Sequence, residues 1–381
     1  MKVKKLTAIL LCACMMVVGV TGCGSSGSEN TSTETTGSAE NTAEGTRTIV
    51  DQVGNEVVLP EKIERVVIAS VWPLASVYVQ TMGTDKLVGL DPAIISAAEN
   101  SMLIKIAPDI AKIESGFSQG GYMNAEELIK LNPDVVLYAS GVPEDYEVAK
   151  QAGIPAVGFD LAIKDYNAVE TINSWIEQLE EVMGEDLSSK EYVEYGKEIQ
   201  DMVAERLKDV KDEEKPSSMI IHKYAENTVS VPGTKTWADY WITASGGVNV
   251  ASEIEGTKEV GIEQVYDWNP DKIFITNFND ALPEDIYSNQ LCSSDWSKLT
   301  AVKNKDVNKI PLGMYRWYVT CSDSPMMLLW MAKQHHPEKF EDIDFNKTMK
   351  EFYQKFYNVE LSDEDIEKIV NPVREAAGGI K

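Results

Sequence analysis

Aromatic and basic side chains gather in the short loops of this chain. Trp72, Tyr122 and Tyr138 lie in the first half; His222, Lys223, Tyr224, Lys235, Trp237, Tyr240, Tyr315, Arg316 and Trp317 lie in the second. Rings supply apolar area and a negative face, while Arg and Lys answer carboxylates or catecholates. In one pocket this set would hold a flat or bulky anionic chelate. Arg316 is the leading cation, because its neighbours are aromatic and a guanidinium binds bidentately; the competing role is a surface ion pair. For each tryptophan alone, core packing is the expected role. Gly120-Gly121, just before Tyr122, permits a tight turn whatever binds.

Other chemistries are poorly served. The chain has three histidines. His222 suits either axial ligation of a haem iron or a hydrogen bond at a strand end. His335 and His336 precede Pro337 at a helix end, where a role with the helix dipole is expected. Capture of a bare zinc or manganese ion needs several His and carboxylates to converge, so no metal site and no cofactor are expected. There is no Gly-x-Ser-x-Gly elbow, P-loop or His-Glu-x-x-His. The expectation is a binding protein, not an enzyme. A secreted enzyme, or a surface signalling module without a ligand cleft, is the alternative from another class.

Two stretches show what positions these loops. Ala125-Glu126-Glu127-Leu128-Ile129-Lys130-Leu131-Asn132-Pro133-Asp134 precedes the apolar run Val135 to Tyr138. Ile262-Glu263-Gln264-Val265-Tyr266-Asp267-Trp268-Asn269-Pro270-Asp271 precedes Lys272 to Ile275. Proline cannot continue a helix and pushes the preceding residue out of the α region. Each copy is therefore a helix, a break and a strand, and one copy in each half implies two related α/β lobes. Around the first copy, a hairpin from Arg47 to Leu59, turning at Gly54-Asn55, precedes strand Arg65–Ala69. A helix near Pro73–Met82, strand Lys86–Leu90, a helix near Tyr146–Ala152 and strand Ala156–Phe159 follow. Strands alternating with helices give mainly parallel sheets. Ligand sites in such sheets lie beyond the carboxyl ends of the strands, which selects the loops named above.

Residues 167–210 are helical by periodicity, with a break at Gly184. The second helix would span ~30 Å at ~1.5 Å per residue, enough to join two lobes as a rigid strut. The organisation is then an N-terminal α/β lobe over 47–166, a helical bridge over 167–210 and a C-terminal α/β lobe over 211–381.

Residues 1–23 have the form of a bacterial lipoprotein signal peptide. Lys2, Lys4 and Lys5 precede an apolar run too short for a comfortable membrane span, and Val20-Thr21-Gly22-Cys23 offers Cys23 for lipidation. Residues 24–46 are rich in Ser, Thr, Gly and Glu and read as a disordered tether. Cys12 and Cys14 leave with the signal. Cys292 and Cys321 remain, either paired in an oxidising compartment or as two buried thiols. The formal net charge of −26 excludes nucleic acid and electrostatic docking on anionic lipid as binding modes.

The opening Asp51-Gln52-Val53-Gly54-Asn55, then Val57-Val58-Leu59-Pro60 and Arg65-Val66-Val67, with the two Glu-bearing repeats and the bridging helix, resembles the substrate-binding lipoproteins of ABC importers for iron chelates, haem and corrinoids. The resemblance covers nearly all of the chain after the tether. It implies a monomer anchored to the membrane outside the cytoplasm. It implies a metal-chelate ligand held between two lobes that move little, and delivery to ABC permease subunits. In that family a Glu on the outside of each lobe docks on permease arginines; by motif match these are Glu126 and Glu263, with Glu127 adjacent to the first. An iron chelate is the leading ligand, with a corrinoid or haem second.

Overall fold

The computed structural model of the protein describes residues 45–377. The signal peptide with Cys23, and nearly all of the tether, lie outside the described residues, and so does the expected lipid anchor. Among the described residues no helix is long and apolar enough to cross a membrane.

A hairpin of β1 (Thr46–Val50) and β2 (Glu56–Pro60) leads into the first lobe. That lobe is built on β3 (Val66–Ile68), β4 (Leu87–Leu90), β7 (Val135–Ala139) and β8 (Ala156–Phe159), all parallel, in the order β4-β3-β7-β8. A small antiparallel hairpin, β5 (Ser118–Gln119) with β6 (Tyr122–Met123), sits beside it. In the second lobe β9 (Ser217–Ile221), β12 (Val248–Asn249), β14 (Lys272–Ile275) and β15 (Val307–Lys309) form another parallel sheet, in the order β12-β9-β14-β15. The sequence pattern had not indicated the three-stranded antiparallel sheet of β10 (Lys223–Tyr224), β11 (Thr228–Pro232) and β13 (Thr257–Gly261) that is added to this lobe.

Strand side chains alternate between faces, and the two sheets use this alternation in the same way. In β3 and β7, Val66, Ile68, Val135 and Leu137 face one continuous core, while Val67, Val136 and Tyr138 face a separate cluster with Phe117 and Leu128. In β9 and β14, Ile220 and Phe274 face the same continuous core, while Met219, Ile221, Ile273 and Ile275 face a cluster of their own with Trp296. The shared core is completed by Trp175, Ile176, Ile199 and Val203 of the intervening helices and by Met326–Ala332. The lobes are therefore joined by packed apolar surface as well as by chain.

The connection is two helices, Ala168–Met183 and Lys190–Leu207, turned at Gly184 with φ 69. The first belongs to the N-terminal sheet: Trp175 Nε1 donates to the Asp160 carbonyl at 2.8 Å, and Gln178 Nε2 donates to the Gly158 carbonyl at 2.8 Å. The second has 18 residues, roughly 27 Å at ~1.5 Å per residue. It packs on helix Ser324–His335. Gly196 faces both neighbours of this helix: a Cβ there would meet Val169 Cγ1 of the first helix at 3.0 Å and Pro325 Cγ of helix Ser324–His335 at 3.6 Å. The glycine that weakens the helix alone permits the close approach of its neighbour.

Cys292 and Cys321 are free and buried. They cannot pair here, because Cys292 sits in the cluster peculiar to the second lobe and Cys321 in the shared core.

Candidate functional site

The carboxyl ends of the parallel strands of both lobes open on one cavity of about 520 Å³. This is within the range of small-molecule sites, roughly 300–1,000 Å³. From the first lobe, Ser70 and Trp72 follow β3, Asp91 follows β4, Gly141 and Asp145 follow β7, and Leu161 and Tyr166 follow β8. From the second, His222 follows β9, Phe278 follows β14, and Tyr315, Tyr318 and Val319 follow β15; Lys235, Thr236 and Trp237 stand at the start of helix Trp237–Ala244. Gly121 and Met123 of the β5–β6 hairpin reach the rim.

Of the residues picked from sequence, Trp72, His222, Lys235, Trp237 and Tyr315 line this cavity. Trp237 meets Tyr166 edge-on at 6.1 Å, so the two walls touch through aromatic rings. His222 packs against Phe278 at 5.1 Å and Tyr318 at 5.2 Å. Burial lowers its pKa to about 4, with the Lys223 charge a lesser cause, so its imidazole is neutral near pH 7. Its Nδ1 and the indole nitrogens of Trp72 and Trp237 are buried with no hydrogen-bond partner among the described residues.

The structure takes the other chosen residues elsewhere, for physical reasons in each case. Tyr138 points to the opposite face of its strand, where its hydroxyl accepts from Asn55 Nδ2 at 3.1 Å. Tyr122 is 76 % exposed on the hairpin, between two residues that do line the cavity. Lys223 and Tyr224 belong to the added antiparallel sheet; Lys223 is exposed, and the Tyr224 hydroxyl donates to Asp280 Oδ1 at 2.6 Å. Tyr240 lies one helical turn beyond Trp237, and its hydroxyl accepts from Gln200 Nε2 at 3.1 Å. Trp317 is fully buried and donates through Nε1 to Asp323 Oδ2 at 2.8 Å.

Arg316 is neither a surface residue nor part of the lining. It is 1 % exposed, with its guanidinium carbon 5.1 Å from the Phe278 ring and 5.6 Å from the Tyr315 ring. It stands behind the wall that those rings present to the cavity. The three cations expected to converge therefore do not. Lys235 alone of them reaches the lining, and its Nζ is 2.9 Å from Glu255 Oε1.

His335 and His336 are remote from the cleft. His335 is buried between Ser218 Oγ, 2.8 Å from Nε2, and Ser245 Oγ, 2.8 Å from Nδ1. Burial takes its pKa down to about 3. Its neighbour's Nε2 lies 2.9 Å from the Gly246 carbonyl. Among the described residues no group of three or more His, Cys, Asp or Glu could hold a metal ion.

Asp91, Asp145 and Tyr166 were missed by sequence reasoning. Asp91-Pro92 carries a recognisable signal, a helix cap followed by proline in the first turn; Asp91 Oδ1 accepts from Ala93 N at 2.8 Å. Asp145 was missed because helix Pro143–Gln151 begins three residues earlier than the apolar pattern suggested, which puts Asp145 in its first turn at the cavity. Tyr166 ends a left-handed run, with φ of 46, 56 and 64 at Lys164, Asp165 and Tyr166.

The outer faces of the lobes carry the repeated Glu residues. Glu126 and Glu263 stand in the first turns of helices Ala125–Leu131 and Ile262–Trp268 and are exposed. Glu127 forms an ion pair with Lys130 at 2.6 Å.

Comparison with known proteins places this architecture. Residues 76–312 match the periplasmic binding protein family. Molybdate-binding protein MolA of Haemophilus influenzae is 27 % identical over 337 residues, covering 82 % of this chain and 91 % of MolA. A periplasmic solute binding protein from Veillonella parvula superposes with a TM-score of 0.76 at 29 % identity, covering 86 % of this chain and 97 % of its own. The nickel–histidine complex of Helicobacter pylori CeuE superposes with a TM-score of 0.67 at 24 % identity, covering 84 % and 98 %. With the family match running over more than half of its length, the chain belongs to the periplasmic binding proteins, which work outside the cytoplasm and deliver small ligands to the permeases of ABC importers.

Proposed function

We propose that this protein captures an iron chelate of the siderophore kind between its lobes and passes it, chemically unchanged, to an ABC permease. The observation that carries this reading is the roughly 520 Å³ cavity walled by Trp72, Tyr166, Trp237, Phe278, Tyr315 and Tyr318. A bare ion or a small oxyanion such as molybdate would leave most of that volume unfilled. An organic chelate would fill it with ring faces and methylenes. A second reading, haem or a corrinoid, is favoured by His222: a neutral imidazole beside a ring-lined cavity is in the protonation state that ligates metal.

Glu126 and Glu263 are the proposed handles for the permease, since they are exposed and form no ion pair among the described residues, whereas Glu127 is paired. The leader ending at Cys23 supports a lipid anchor that keeps the protein at the membrane. The shared core supports small lobe motions over a wide hinge.

The test combines mass spectrometry and visible absorbance of co-purified ligand with titration of ferric hydroxamates, ferric catecholates, haem and cobalamin. Trp72 and Trp237 line the cavity, so a bound chelate should quench tryptophan fluorescence. It should also stabilise the fold by about 2.7 kcal/mol at a hundredfold excess over Kd. No response to any member of the panel would overturn the chelate reading.

A further inference from the structure

The two walls of the cavity differ in charge. On the N-terminal wall Asp91 and Asp145 are 5 % and 3 % exposed, and both line the cavity. Asp91 Oδ2 accepts the Ser118 hydroxyl at 2.6 Å. Asp145 is hydrogen-bonded by Ser70. Burial raises the pKa of Asp145, and the charge of Asp91 adds a smaller push in the same direction. On the facing wall positive charge stands at the exposed rim or behind the lining. Lys235 is tied to Glu255, Arg316 stands behind Phe278 and Tyr315, and His222 is neutral.

A polyanionic guest entering this space would meet two acidic groups already short of solvent, with Lys235 at the exposed rim as the one lining cation among the described residues. A guest with an ammonium group would instead relieve the repulsion between the two carboxylates. We infer that Asp91 and Asp145 set the charge class of the guest: the cleft takes a neutral or cationic metal chelate, turns its ammonium or hydroxyl donors toward the N-terminal wall, and discriminates against polyanionic chelates. The inference rests on the chelate reading above and narrows it, since the loop cations in the sequence had pointed to an anionic ligand.

Three ferric complexes test it by calorimetry and fluorescence titration. They are a linear tris-hydroxamate with a pendant ammonium, the same complex with that amine acetylated, and a tris-catecholate trianion. The ammonium complex should bind about 10-fold tighter than its acetylated form, and the trianion at least about 100-fold weaker than either. Asp145→Asn should bring the first two within about threefold of each other and strengthen the trianion. Asp91→Asn keeps an oxygen for the helix cap at Ala93 N and turns its amide N–H toward Ser118 Oγ, which then accepts; it should act in the same direction should the Asp145 variant not fold. Tight trianion binding, or a charge preference unaltered in the variants, would overturn this inference and leave the chelate reading standing. Failure of all three complexes to bind would overturn both.

Discussion

Helices Ala125–Leu131 and Ile262–Trp268 finish alike, on an asparagine in the left-handed region: Asn132 at φ 44 and Asn269 at φ 42. Each then gives way to the third strand of a four-stranded parallel sheet. The aspartate that follows the proline has one task in both places. Asp134 Oδ2 accepts the backbone N–H groups of Glu64 and Arg65 at 2.7 and 2.9 Å, just before β3. Asp271 Oδ2 accepts the backbone N–H and hydroxyl of Ser217 at 2.9 and 2.8 Å, at the start of β9. The Asn-Pro-Asp signature thus encodes a helix stop and a clamp on the adjacent strand. Beyond this skeleton the lobes part company. The first adds a short hairpin and a wall bearing two carboxylates; the second adds an antiparallel sheet and a wall of rings with a neutral histidine. A repeat preserves the scaffold while the loops at the strand ends diverge, and those loops face the guest.

The largest expected effect tests whether the outer faces are as equivalent as the skeletons. Glu126→Ala and Glu263→Ala should each cut ligand uptake about 10- to 100-fold, the cost of losing one charge-assisted contact with a permease. Both variants should bind ligand as tightly as the unaltered protein, because neither residue lines the cavity. Uptake assays in membrane vesicles, paired with binding titrations, measure this. A loss from one variant alone would mean that the permease reads the lobes differently, and unchanged uptake in both would remove these residues from docking.

Sequence legibility follows the same division. The scaffold was readable because its determinants are local: apolar runs of strand length, Asn-Pro-Asp stops, and Gly83 and Gly184 as helix ends. Cavity residues were readable where they lie just beyond a strand, as His222 does directly after β9 and Trp72 four residues after β3. Tyr138 could have been read correctly, since two-residue alternation in β7 sets it opposite Leu137 and Ala139. Arg316 and Trp317 could not, because their burial depends on distant partners. Asp323 accepts not only from Trp317 but also from the hydroxyls of Tyr353 and Tyr357 at 3.0 and 2.7 Å, 30 and 34 positions along the chain. Tyr166 depends on a left-handed run of non-glycine residues that nothing in its composition announces. Such residues cost on the order of 1–3 kcal/mol each and are held only by surrounding structure.

An intermediate effect sharpens the comparison of the clamps. Asp134→Ala and Asp271→Ala should each destabilise the fold by about 1–3 kcal/mol, because two donors lose their acceptor at the start of a central strand. Urea unfolding with unchanged slope would measure the two losses. The Asp271 variant should lose no more than the Asp134 variant, since the backbone N–H of residue 271 still donates to Ser217 Oγ, a contact of 3.0 Å, after the substitution. A cost in only one lobe would show that the shared motif is shared in form and not in energetics.

The smallest effect separates the walls. The Lys235–Glu255 pair joins side chains 67 % and 71 % exposed at the cleft rim. Solvent screens so exposed a pair, so Lys235→Ala should leave thermal stability nearly unchanged. Its effect on binding discriminates more. With charge selection seated in Asp91 and Asp145, removal of Lys235 should alter affinity for the neutral ferric hydroxamate less than about threefold. It should leave the preference for the ammonium-bearing complex intact. A large loss confined to anionic complexes would instead make Lys235 the discriminating charge, and would move control of the guest's charge from the N-terminal wall to the C-terminal one.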